Sequence, residues 1–282
     1  MSDPVTPTVA ITTAVEIGLW ITGLIVLWRV QFSAATRDRR EEPAPLLPWN
    51  ITLVEFLQIA LCVILGGWGA PVIVSSLRNY IPGAAANSDL WMLIQSACLQ
   101  FGLLAGVAVS LAIPRSNMAA PVETPHSSAC PHPFLAAVGT FLIALPIITL
   151  LGYAWKTGLQ HLGYDTPDQE LVDIFRQADS PLKLGLLTVL AAVIAPFTEE
   201  LVFRAGLFRY LRTRIPRWIA VAAPAALFAA LHTSAVAFVP LFALGVLFSL
   251  AYERTGRISV TIIAHGLFNL HTIMLIIAGV TT

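Results

Sequence analysis

The chain has 282 residues, 57% of them hydrophobic and only 11% charged, and its formal net charge is zero. Soluble domains carry about 25% charged residues, so a globule of this size would lack the polar surface that water demands; a bilayer removes that demand. The zero balance offers no field for nucleic acid, and Cys62, Cys98 and Cys130 form neither a disulfide framework nor a zinc spacing.

A membrane span needs about 20 apolar residues. In chain order the candidate runs are Val9–Trp28, Ile51–Ser76, Trp91–Ile113, Phe134–Trp155, Leu184–Phe203, Trp218–His232, Ala235–Ala251 and Ile258–Val280. They predict an all-α, polytopic integral membrane protein with about eight transmembrane helices. The first run lacks a basic segment before it and a cleavage site after it, and reads as a retained span. Pro71 predicts that the second run ends or kinks there. The sixth and seventh runs are short, as tilted spans or a broken pair would be.

The loops set the orientation, because Lys and Arg concentrate on the cytoplasmic side. Arg29, Arg37, Arg39 and Arg40 follow the first run, Arg115 the third, Arg204, Arg209, Arg212, Arg214 and Arg217 the fifth, and Arg254 and Arg257 the seventh. The alternate loops hold only Arg78, Lys156, Arg176 and Lys183. Both termini, Ser2 and Thr282, are therefore expected outside. Thr36–Pro48 and Pro114–Pro133 read as flexible loops. Lys156–Lys183 sets Leu171, Val172, Ile174 and Phe175 among Asp168, Glu170, Asp173 and Asp179, which suits a short helix on the outer surface. Gly102 and Gly106 form a GxxxG pair in the third run, permitting close helix contact. Two units follow: 1–183, N-terminal helices and loops without an assigned function, and 184–282, where the chemistry concentrates.

Ionisable groups inside spans are costly and are functional candidates by default. Glu199 and Glu200 end the fifth apolar run, yet the pattern continues, so one helix from about Leu184 to Arg214, kinked at Pro196, is expected. Arg209–Arg214 would mark the membrane surface, with the glutamates roughly 15 Å inside it. Glu200 and Arg204 are four apart and can pair. His232 is the sole ionisable group of its run. His265 and Asn269, also four apart, share a helix face, and Gly266 between them leaves room for close approach. His271 lies about 120° around the helix from His265 and is the weaker candidate. Glu16 and Glu55 stand alone in N-terminal runs and read as protonated or interfacial carboxylates. Counted from the arginine boundaries, Glu199, His232, His265 and Asn269 reach overlapping depths of roughly 12–22 Å on three helices.

A carboxylate and a histidine can hold one water; the carboxylate takes its proton and hydroxide attacks a carbonyl. A second histidine and an amide can donate to the oxyanion that forms. No G-x-S-x-G or suitable cysteine competes for the role of nucleophile. The same His and Glu residues could instead hold zinc, although H-E-x-x-H is missing.

The motif Glu199-Glu200-xxx-Arg204, then Phe228-xxx-His232, then His265-xxx-Asn269, resembles the CPBP family of CAAX-type proteases and bacteriocin-processing enzymes, also called Abi proteins. The resemblance covers about Leu184–Val280. It implies an eight-helix intramembrane endopeptidase that is glutamate-dependent and uses no metal. Glu199 would be the base, His232 its partner on the water, and His265 with Asn269 the oxyanion site. Glu200 and Arg204 would support them. Its partners would be a membrane-associated peptide or protein substrate and the lipid bilayer. The compact loops suggest a prokaryotic plasma membrane, with the site open towards the cytoplasm. The alternatives are a zinc-dependent intramembrane protease and a non-enzymatic transporter or scaffold. A carrier would show interrupted helices in both halves, whereas here the polar residues gather in one.

Overall fold

The computed structural model describes residues 7–33, 46–83, 88–113, 132–166, 170–176, 178 and 180–280. Ser2, Thr282, Cys130, Arg115 and most of the two loops expected to be flexible lie outside them. Described residues form helices and short connections, and no strand occurs among them. The helices are α1 (Pro7–Gln31), α2 (Leu53–Ser76), α3 (Ser88–Ala112), α4 (Pro133–His161), α5 (Glu170–Arg176), α6 (Pro181–Arg212), α7 (Arg217–Leu231), α8 (Ala235–Thr255) and α9 (Ile258–Ile277). Seven of them are long and apolar enough to cross a membrane: α1, α2, α3, α4, α6, α8 and α9. The all-α polytopic expectation holds.

One local expectation needs correction: the seventh run is not short, since α8 has 21 residues and is long enough to cross. Pro71 neither ends α2 nor stops it early, since the helix runs on to Ser76. The Gln95 amide of α3 donates to the Pro71 carbonyl at 3.4 Å and to the Ser75 hydroxyl at 2.9 Å, tying α3 to α2 beside the proline. The sixth run is a helix of 15 residues, about 22 Å long, short of a hydrocarbon core of about 30 Å. It runs antiparallel to α8, with Ala225 against Gly245. Arg217 at its start pairs with Glu253 near the end of α8, while Ala235, four residues past its end, begins α8. Residues 232–234 turn the chain straight back: His232 keeps helical angles, Thr233 has φ 52°, and Ser234 caps α8.

Helix contact is closest where side chains vanish. A Cβ on Gly102 would lie 2.2 Å from the Gly66 carbonyl oxygen, and one on Gly106 would lie 2.3 Å from that of Cys62. The GxxxG pair therefore joins α3 to α2 backbone to backbone, as the spacing predicts. Gly23 of α1 meets the Leu142 carbonyl of α4 in the same way. The buried core, Ala137, Ala144, Ile148, Leu244, Phe248, Val260 and Ala264, lies between α4, α8 and α9.

Five arginines meet at one end of the bundle. Arg254 donates to the Val30 carbonyl, and Arg212 and Arg217 clamp Glu253. Arg209 donates to the Leu47 carbonyl, and Arg214 to those of Trp49 and Ile51. These basic residues thus also latch the chain that enters α2. Glu55 belongs there too: its carboxylate accepts from the Thr52 backbone N–H and hydroxyl in a capping box, in keeping with an interfacial carboxylate.

Candidate active site

The helix α6 carries the site's carboxylates, and it is not a regular α-helix. Its α-helical stretches Pro181–Val189, Ala195–Glu200 and Arg209–Arg212 are separated by π-helical segments at Leu190–Ile194 and Leu201–Phe208. Pro196 accounts for the first. The Ala195 N–H bonds to the Leu190 carbonyl, five residues back, so it is taken from Ala191. The next donor in line would be residue 196, a proline without an N–H. The Ala191 carbonyl is left for another helix, and the Asn269 side-chain amide donates to it at 2.8 Å. The Ala192 carbonyl likewise lacks its usual donor, and it abuts Gly266, where a Cβ would come within 2.6 Å. The disturbance expected at Pro196 is thus a π segment whose loosened carbonyls set the seat of α9.

One and a half turns further on, the charged groups converge. Glu200 is fully buried and Arg204 is 1% exposed; Oε1 of Glu200 lies 3.0 Å from Nη1 of Arg204 and 3.0 Å from Nδ1 of His265. The guanidinium sits 4.9 Å from the Phe228 ring centre and 5.5 Å from that of Phe248, with Nη2 3.4 Å from the Gly245 carbonyl. Gly245 lets α7 and α8 approach closely beside it, since its Cβ would strike Ala225 at 2.8 Å. The predicted pairing of Glu200 with Arg204 is therefore present, inside an aromatic box that compensates a buried cation.

Glu199 is 19% exposed, and its Oε2 stands 3.8 Å from Nε2 of His265. His265 thus lies between the two adjacent carboxylates, one on each ring nitrogen. Since a carboxylate accepts only, Nδ1 carries the proton given to Glu200, and a neutral ring offers Nε2 as an acceptor. His232, the C-cap of α7, is exposed; its Nδ1 donates to the Phe228 carbonyl at 2.8 Å, which leaves Nε2 as its acceptor. The Phe228 ring stands between the two histidines, 4.7 Å from His232 and 6.0 Å from His265 by ring centres.

The structure therefore joins Glu199, Glu200, Arg204 and His265 directly, ties Asn269 to the helix that bears the glutamates, and links His232 to the group through Phe228. Among the described residues, no three His, Cys, Asp or Glu side chains converge as metal ligands would. Sequence reasoning missed Gln100 of α3, which is buried and hydrogen-bonded to Thr198, the residue before Glu199. A buried glutamine in an apolar span was a readable signal. The role of Ala191 was not readable, because a backbone carbonyl has no residue signature.

A buried carboxylate–arginine–histidine cluster with a second, partly open carboxylate thus sits inside an all-helical bundle with membrane-length helices. Residues 181–271 match the sequence model of the Rce1-like family, described as type II CAAX prenyl endopeptidase Rce1-like. That segment is thus similar to an endopeptidase family, in agreement with the motif resemblance. A curated relative, the UPF0177 protein YbdI of Lactococcus lactis subsp. lactis (strain IL1403), is 33% identical over 93 residues, covering 33% of this chain and 50% of that protein. The chain thus spans about half the length of the curated relative it matches. No solved structure matches it.

Proposed function

We propose that the protein is a glutamate-dependent intramembrane endopeptidase that cleaves a membrane-associated peptide or protein. The observation that carries this reading is His265, set between Glu200 at 3.0 Å and the partly open Glu199 at 3.8 Å. Glu200 is fixed by Arg204 and His265 and is the orienting carboxylate. Glu199, not so fixed, is the base. It removes a proton from a water also hydrogen-bonded to Nε2 of His232, and the hydroxide adds to the scissile carbonyl carbon. The oxyanion accepts from Asn269, whose amide has a second N–H beyond the one given to Ala191, and from Nε2–H of His265. Donation from Nε2 uses the ring with both nitrogens protonated, the Nδ1–H being held by Glu200. The proton held by Glu199 then passes to the departing amine nitrogen as the C–N bond breaks, so no covalent enzyme intermediate arises.

The arginine-rich end of the bundle is taken as cytoplasmic, and the site as open towards it in a prokaryotic plasma membrane. The substrate class is a peptide presented at or within the bilayer. Purified protein incubated with membrane peptides, with and without chelator, tests the reading: chelator-insensitive cleavage supports it. Cleavage that stops on chelation and returns with zinc would transfer the roles of the histidines to metal binding.

A further inference from the structure

An ionisable pair outside the site joins the N-terminal helix to α9. Glu16 of α1 and His271 of α9 meet at 2.6 Å, Oε1 to Nε2, with side chains 16% and 15% exposed. The Phe141 ring of α4 stands edge-on to His271 at 5.8 Å. Both partners sit inside helices long and apolar enough to span a membrane, where such groups are costly unless paired. Glu16 also lies outside the family-matched segment, and His271 is its last residue.

The placement along α9 gives the pair its meaning. His265 bonds to Glu200 and Asn269 to Ala191, both on α6. His271 projects about 120° around the helix from His265 and bonds to α1. The catalytic helix is therefore gripped by polar contacts on two sides within a turn and three-quarters. Apolar packing alone resists rotation of a helix in lipid weakly, because lipid tails are as apolar as a neighbouring helix. We propose that Glu16 is a positioning residue: through His271 it fixes the rotation of α9, and so the approach of His265 and Asn269 to the glutamates. The N-terminal helix would then serve the catalytic segment as a brace. The kinetic part of the inference rests on the endopeptidase reading; the structural part does not.

The test uses the full chain in liposomes, with Cys62, Cys98 and Cys130 replaced by alanine. The variants are Glu16→Leu, the milder Glu16→Gln, and the exchange Glu16→His with His271→Glu. Each is read by kcat and KM, by its melting temperature, and by the cross-linking rate of cysteines introduced at Thr188 and Leu270. Those two positions line the groove between α6 and α9, and report the seating of α9 without any need for activity. Glu16→Leu should lower kcat roughly 3- to 15-fold at unchanged KM, as expected for the loss of one interhelical polar contact in a membrane. It should change the cross-linking rate in parallel. Glu16→Gln should fall between it and the native chain, and the exchange should restore both readouts. The proposal is overturned if Glu16→Leu leaves kcat and cross-linking unchanged, if only one of them moves, or if a folded exchange variant restores neither. Absence of hydrolysis in the parent chain would count against the endopeptidase reading, while the cross-linking series still decides the brace.

Discussion

At the scale of single residues, burial separates two neighbouring glutamates into different tasks. Glu200 has no exposure and is held by Arg204 and His265, whereas Glu199 keeps 19% of its side chain open. Removing one partner of a buried ion pair strands the other and costs about 3–5 kcal/mol. Arg204→Ala should therefore lower stability by about that amount, as read by denaturant unfolding in micelles. Unfolding at the native midpoint would mean that Glu200 is already satisfied without the guanidinium. The pairing was legible from the four-residue spacing alone. The aromatic box of Phe203, Phe228 and Phe248 was not, because aromatic residues are ordinary in apolar spans and nothing in their spacing marks three helices meeting around one cation.

At the scale of elements, proline shapes the catalytic helix by what it lacks. Pro196 leaves the Ala191 carbonyl to the Asn269 amide and the Ala192 carbonyl against Gly266. Gly266→Ala puts a methyl where the Ala192 oxygen stands 2.6 Å away, so α9 must shift. Overpacking of this kind costs about 1–3 kcal/mol, and because the shift moves His265 as well, turnover should fall more than stability does. Parallel kinetics and thermal melts measure this; a variant with native turnover would show that α9 seats elsewhere. Pro196→Ala should act differently. It supplies a backbone N–H that competes for the freed carbonyls, relaxing the π segment and withdrawing the acceptor of Asn269. Amide exchange across 190–196 should then show greater protection in the variant, and unaltered exchange would contradict the account of the bulge. The sequence announced a disturbance at Pro196 but not its form, because a kink and a π segment have the same proline signature. His265 and Asn269 were readable as one helix face, yet the contact of Asn269 with a backbone carbonyl depends on that unannounced form.

At the scale of the whole molecule, hydropathy supplied the spans and arginine the polarity. Arg209, Arg212, Arg214, Arg217 and Arg254 gather at one end, where Arg209 and Arg214 also hold the Leu47–Ile51 approach to α2, while Arg78 follows the far end of that helix. The sixth span was the hard one: α7 reaches only about 22 Å, and residues 232–234 turn the chain straight back into α8. That shortness places His232 at a helix end instead of within a helix, which hydropathy could not anticipate. If α7 crosses, the start of α1 and the end of α9 share one side of the membrane. Cysteines at Pro7 and Val280, with the native cysteines replaced, should both react with an impermeant maleimide added outside intact cells. Labelling of one and protection of the other would contradict the crossing of α7.

The central claim, that Glu199 is the base of a water-mediated peptide hydrolysis, meets its most direct test in Glu199→Gln. The amide preserves the size of the side chain and its 3.8 Å approach to His265, but it cannot take a proton from water. Single-turnover cleavage of a membrane peptide and binding of the same peptide would be measured on the native chain and the variant. Loss of the catalytic base should reduce cleavage by at least about 10²-fold while binding stays at the native level. Native-rate cleavage by Glu199→Gln would contradict the account.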